Sequence, residues 1–112
     1  MSSTPIHRPP LSVLDLAVVN AGGTTADALA AMTALARRAE ELDYHRFWVA
    51  EHHNMPLVAS TTPPVLMAHL AARTSRIRIG SGGIMLPNHA PLVVAEHAAA
   101  LEALHPGRID LG

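Results

Sequence analysis

The segment Tyr44-His45-Arg46-Phe47-Trp48-Val49-Ala50-Glu51-His52-His53 is where the chain first joins structure to chemistry. Residues 44–50 hold every aromatic side chain of the protein together with Val49. Aromatic and β-branched side chains suit a pleated, half-buried surface, so this stretch is predicted to be a strand. It runs directly into one carboxylate and two imidazoles.

Upstream, residues 11–19 (LSVLDLAVV) form a short apolar run that ends at the turn signal Asn20-Ala21-Gly22-Gly23, and read as another strand. A helix is predicted from Thr24, with Thr24 as N-cap, Asp27 in the first turn, and Leu29, Met32, Leu35, Ala36, Ala39 and Leu42 at helical spacing. Downstream, a loop over residues 54–61 leads to Thr62-Pro63-Pro64, which opens a helix through Arg73 with a hydroxyl at the cap and proline in the first turn. Residues 76–79 alternate arginine with isoleucine and continue into a glycine-rich segment, residues 80–87, as a third strand with a further apolar extended piece at 84–86. Asn88-His89-Ala90-Pro91 resemble a capped start for a helix to about Leu104, His105-Pro106-Gly107 stop it, and residues 108–112 begin a fourth strand.

The order β-α-β-α-β-α-β implies an α/β fold with parallel strands, right-handed crossovers and helices covering the sheet. A closed (β/α)8 barrel needs eight such units and about 250 residues. These 112 residues supply three units and the strand of a fourth. An open sheet of that kind leaves its first and last strands unpaired along an edge. A doubly wound sheet has the same alternation, so periodicity alone leaves both architectures open.

Composition narrows the function classes. The net charge of −1 comes from 8 basic and 9 acidic residues scattered along the chain, leaving no basic stripe for a nucleic acid backbone. The absence of cysteine excludes a disulfide framework, a thiol nucleophile and a thiolate zinc site, and fits a cytoplasmic protein. Residues 1–10 lack the apolar core of a signal peptide and contain Pro9-Pro10, so they are read as a flexible lead-in to one domain over residues 11–112. No stretch approaches the roughly 18 consecutive apolar residues of a membrane span.

In both parallel architectures functional groups gather where strands end, which selects residues 20–23, 51–54 and 80–89. Glu51, His52 and His53 suggest a metal site by residue type, but neighbours in an extended chain face opposite ways, so no metal is expected. A histidine at a strand end can instead act as general acid or base, since its pKa of about 6.5 lets it exchange protons near neutrality. The plainer reading, favoured for at least one of the pair, puts one histidine under a helix or at a contact between subunits. Gly80-Ser81-Gly82-Gly83 lacks the spacing of a dinucleotide fingerprint. It is either a flexible turn or a place where a flat ligand approaches the backbone closely. His69 and His97 fall inside predicted helices as surface or packing residues, and His89 alone sits in a strand-end loop.

Taken together, residues 47–53, residues 80–91, Ala95-Glu96 and residues 101–112 (LEALHPGRIDLG) resemble the N-terminal part of luciferase-like flavin-dependent monooxygenases, in order and spacing, from about Leu11 onward. The resemblance implies the N-terminal half of a (β/α)8 TIM barrel that binds FMN at the C-terminal ends of its strands. It further implies use of reduced FMN and molecular oxygen to oxidise a small organic substrate such as an aldehyde, a separate flavin reductase, and a homodimer. By the same resemblance, His52 is the catalytic histidine that assists proton transfer, and Glu51, Gly82 and Gly83 belong to the cofactor site. Gly82 and Gly83 would line the flavin ring and be joined by a cis peptide bond, a form seen in well under about 0.1% of non-proline bonds. His53 and Glu96 match positions near the subunit interface, and His89 matches no assigned role. Flavin-phosphate contacts in the family come largely from beyond the fourth strand, so the chain alone is expected to be inactive. Two alternatives are a non-catalytic truncated half-barrel that folds by self-association, and a deazaflavin-dependent oxidoreductase that transfers hydride.

Overall fold

The computed structural model describes residues 3–112. Its elements alternate as β1 (Ser12–Asp15), α1 (Thr25–Glu41), β2 (Arg46–Val49), α2 (Pro63–Arg73), β3 (Arg78–Ser81), α3 (Pro91–Leu104) and β4 (Ile109–Leu111), with a single 3-10 turn at Leu86–Asn88. The strands lie in the order β1-β2-β3-β4 and every pair is parallel. A doubly wound sheet reverses its strand order at a switch point and carries helices on both faces. This sheet has no reversal, and the arrangement is that of consecutive units of a barrel, as expected.

The register sets up two rows of side chains. Val13, Phe47, Ile79 and Ile109 are aligned across the four strands, and so are Leu14, Trp48, Gly80 and Asp110. Successive residues of a strand face opposite sides, so the rows occupy opposite faces. The first row meets the helices: Phe47 and Ile79 are completely buried in a cluster with Met32, Ala36, Met67, Leu70 and Leu101. The second row faces away, and Leu14 remains 55% exposed.

Local chemistry explains where the helices start and stop. Thr24 caps α1 through a reciprocal box, its hydroxyl accepting from the Asp27 amide at 3.1 Å while the Asp27 carboxylate accepts from the Thr24 amide at 2.9 Å. Ala28, Met32, Ala36 and Ala39 then form its buried stripe. Near its end, Glu40 Oε1 accepts the amides of Ser75, Arg76 and Ile77 at 2.9, 2.7 and 3.0 Å, which fixes the chain as it enters β3. The C-terminal carbonyls of α2 are met by Arg108, which donates to Ala71 O at 3.0 Å, Thr74 O at 3.3 Å, Ile77 O at 3.1 Å and Thr74 Oγ1 at 2.6 Å. A cation at a helix C-terminus also complements the helix dipole.

Several boundaries differ from the sequence reading. β1 ends at Asp15 rather than continuing to Val19, because Ala17 takes φ 50° and its amide turns onto Asp15 Oδ1 at 3.1 Å. The chain beyond it pairs antiparallel with residues predicted as loop: Val18 bridges Val58, Ala59 N donates to Ala17 O at 2.9 Å, and Ser60 N donates to Leu16 O at 3.2 Å. Thr62 occupies the cap position of α2, but its hydroxyl lies 3.1 Å from that of Thr61 and makes no cap bond. The extended piece predicted at 84–86 is replaced by a bend into the 3-10 turn. Residues 3–10 of the predicted lead-in are exposed and without regular structure, and Met1 and Ser2 lie outside the described residues.

On the face away from the helices, Asp110 Oδ2 receives Arg46 Nε at 2.6 Å and Arg78 Nε at 2.8 Å, and Asp110 Oδ1 receives Arg78 Nη2 at 2.8 Å. The Arg46 guanidinium also stands 4.8 Å from the centre of the Trp48 ring. That ring in turn lies over Gly80, where an added Cβ would come within 2.5 Å of it and 3.1 Å of Asp110 Cβ. Gly80→Ala is therefore expected to displace Trp48 and lower stability by about 1–3 kcal/mol, read as a fall in Tm by circular dichroism. The Asp110 carboxyl is pushed down from 3.8 to about 2, chiefly by the Arg78 hydrogen bond, with burial opposing and Arg46 adding to it. A depressed folded-state pKa contributes stability above the ordinary value and loses it as pH falls. Urea unfolding should thus show stability declining as pH drops from 3.8 towards about 2, and Asp110→Asn should flatten that decline. The contribution is about 1 kcal/mol once solvent screening of this partly exposed trio is allowed for.

Candidate functional site

The C-terminal ends of β2 and β3 lie side by side, and a buried serine extends the order of β2 past its last ladder bond. Ser60 Oγ accepts from Ala50 N at 3.1 Å and donates to Ala50 O at 2.7 Å, while Ser60 O accepts from His52 N at 3.0 Å. Ser60 is fully buried. It acts as a short stretch of neighbouring strand for residues 50–52, a role that no sequence signal marked.

Beyond that stitch the chain keeps its alternation. Glu51 and His53 both line a cavity of about 560 Å3 between α2 and α3, whose apolar wall includes Val65, Ala68, Val94, Leu101 and Leu104, whereas His52 is absent from its lining. The neighbouring histidines thus separate, as expected from an extended backbone. His53 lies on the helix side with Glu51, and the half-buried His52 is left apart from them.

Glu51 is the buried charge of the region, with its side chain only 1% exposed. His53 Nε2 lies 2.7 Å from Oε2, His89 Nε2 lies 2.9 Å from Oε2 and 3.0 Å from Oε1, and the Met85 amide donates to Oε1 at 3.3 Å. An ionised carboxylate only accepts, so both imidazoles present Nε2–H to it. Burial acts to raise the Glu51 carboxyl pKa, but the bonds from His53, His89 and Met85 outweigh it and hold the group below its ordinary value. The three side chains satisfy one another, and among the described residues no group of three or more His, Asp or Glu is arranged to hold a metal ion. His89, which the sequence left without a role, is therefore the partner of a residue 38 positions away. No spacing rule links them. Glu96 sits on the exposed side of α3 and does not line the cavity.

At the end of β3, Gly82 N donates to Val49 O at 2.7 Å and Ile84 N donates to Gly112 O at 2.8 Å, so the intervening glycines are held at both ends. The Gly82–Gly83 peptide is cis, as the resemblance implied. Both glycines are exposed. A Cβ on Gly82 would stand 3.2 Å from Trp48 Cβ, and one on Gly83 would stand 3.2 Å from the Gly112 backbone. This leaves a side-chain-free strip of backbone at the strand end.

The model of the luciferase-like monooxygenase family matches residues 10–112. The chain is 59% identical over 102 residues to the uncharacterised protein YvbT of Bacillus subtilis, covering 91% of this chain and 30% of that protein. It is 52% identical over 102 residues to the N-acetyl-S-alkylcysteine monooxygenase of the same organism, covering 91% and 30%. Among solved structures, apo-MsnO8 superposes with a TM-score of 0.90 at 50% identity, covering 92% of this chain and 31% of that one. The FMN complex of the oxygenating constituent of 3,6-diketocamphane monooxygenase from Pseudomonas putida superposes at 0.81, over 92% and 29%, and at 18% identity shows a shared fold. The chain thus spans about 30% of the length of these relatives. With a family match over nearly all of its residues and the strand order of a barrel arc, the chain belongs to the luciferase-like monooxygenases.

Proposed function

We propose that this chain forms one face of the flavin site of an oxygenase that uses reduced FMN and molecular oxygen to oxidise a small organic substrate, such as an aldehyde. The observation that carries this reading is the exposed, side-chain-free backbone of Gly82 and Gly83 at the C-terminal end of β3, the end at which barrel enzymes place their sites. A flat ring system can approach such a strip closely, because the backbone there is exposed. Bound FMN supplies the redox chemistry, and the protein supplies placement and proton handling. Gly82 and Gly83 lie against the ring. His52, at the end of the neighbouring strand, moves a proton as general acid or base. Glu51 belongs to the cofactor site as well, through the loops that its carboxylate ties together.

The relatives support this assignment, since they include an N-acetyl-S-alkylcysteine monooxygenase. A separate flavin reductase is the natural source of reduced FMN. A homodimer belongs to the same reading, with His53 and Glu96 near the contact between subunits. Among the described residues no helix is long and apolar enough to cross a membrane, and a cytoplasmic location suits a partner reductase.

Titration with FMN, followed by flavin fluorescence, tests the reading. Gly82→Ala sets its Cβ 3.2 Å from Trp48 Cβ, which must yield by a few tenths of an ångström, so Tm should fall slightly while the FMN Kd rises by about tenfold or more. Equal FMN binding by the parent chain and the variant, or a preference for a deazaflavin, contradicts it. In a longer protein that carries this chain together with the rest of a barrel, assayed with a flavin reductase, His52→Ala should cut turnover by about 100-fold or more with FMN affinity preserved.

A further inference from the structure

Glu51 is a buried charge whose oxygens all point at protein. Three donors meet it, namely His53, His89, whose single Nε2–H is shared between the two oxygens, and the Met85 amide. The side chain lines the cavity on the helix side of the sheet, whereas Gly82 backs onto Trp48, which belongs to the opposite face. Both Glu51 oxygens are therefore engaged, and the side chain is turned away from the surface the flavin ring would use.

We propose that Glu51 is a positioning residue: its carboxylate clasps the loop after β2, through His53, to the loop after β3, through Met85 and His89, and so sets the glycine strip against which the flavin ring lies. The proposal rests on the flavin reading given above. Residues 82–90 are exposed except for the half-buried Ile84, so this loop draws little support from packing. Its ties to the rest of the molecule are Gly82 N to Val49 O, Ile84 N to Gly112 O, and the Glu51 contacts. Among the described residues, the hydrogen bonds that join it to the loop carrying His52 and His53 are those of Glu51. Hydrogen bonds to a buried charge are stronger than neutral ones, and leaving their partners unmet is costly. Neutralising Glu51 should accordingly loosen the loop locally and leave the core row of Phe47 and Ile79 in place.

The test uses amide NMR and hydrogen exchange on the 112-residue chain without flavin, followed by FMN titration of the same samples. Glu51→Gln should shift the amide signals of residues 83–86 and speed Met85 exchange by about tenfold or more, with Phe47 and Ile79 amides unchanged, and should raise the FMN Kd by about tenfold. His89→Ala should move the same signals, and His89→Gln, whose side-chain amide can still donate to Glu51, should stay close to the parent. Because His89 is 36% exposed, its variants decide the matter even if Glu51→Gln fails to fold. The clasp is overturned if residues 83–86 stay unmoved while FMN binding weakens, which would make Glu51 a direct ligand. It is equally overturned if exchange rises evenly through the core, which would make Glu51 a plain stability residue. FMN binding that leaves the Gly82 and Gly83 signals of the parent chain unmoved sinks the flavin reading, and the flavin-free measurements still decide the clasp.

Discussion

The alternation of side chains along β2 is the constraint on which the rest of the molecule depends. Phe47 and Val49 go to the helices and are wholly buried, while Arg46 and Trp48 go to the other face. Because Ser60 stands in for a neighbouring strand, the same alternation continues past the last ladder bond. It sends Glu51 and His53 towards α2 and α3 and leaves His52 apart from them. One geometric rule thus separates Glu51 and His53 from His52. A slip of one position in β2 would exchange the two sets and drive Trp48 into the core.

The two faces of the sheet are stabilised differently. The helix face is a packed apolar cluster, tightened at the loop before β3 by Glu40 and at the end of α2 by Arg108. The opposite face is a shallower arrangement in which Trp48 covers Gly80 and Asp110 joins the two arginines. In a closed barrel, side chains on that face fill the interior in layers. Here β1 and β4 are the edges of the sheet among the described residues, and Leu14 stays largely exposed. The relatives are long enough to supply further barrel units, since this chain covers 30% of their length.

What could be read from the sequence was the local and periodic part. Thr24 and Asp27 announced α1, the proline pair announced α2, and His105-Pro106-Gly107 announced the end of α3, because caps and breakers act within a few residues. The strand ends were less legible. Nothing in an apolar run reveals that Ala17 will leave the ladder at positive φ, or that residues predicted as loop will return to pair with it. Periodicity could not separate a barrel from a doubly wound sheet, a question that strand order settles. The site divides in the same way. Glu51, His52 and His53 stood out by residue type and position, and the family resemblance singled out Glu51, His52, Gly82 and Gly83. The partnership of Glu51 with His89 and the stitch at Ser60 are tertiary contacts that no spacing encodes.

The central claim is that the ends of β2 and β3 form a flavin-binding face. Mapping amide chemical-shift changes as FMN is added to the isotopically labelled chain tests it most directly. A flavin face there places the largest shifts on Gly82, Gly83 and Ile84 and on the backbone of His52, with little change along α3. Shifts centred on the cavity between α2 and α3 would contradict it.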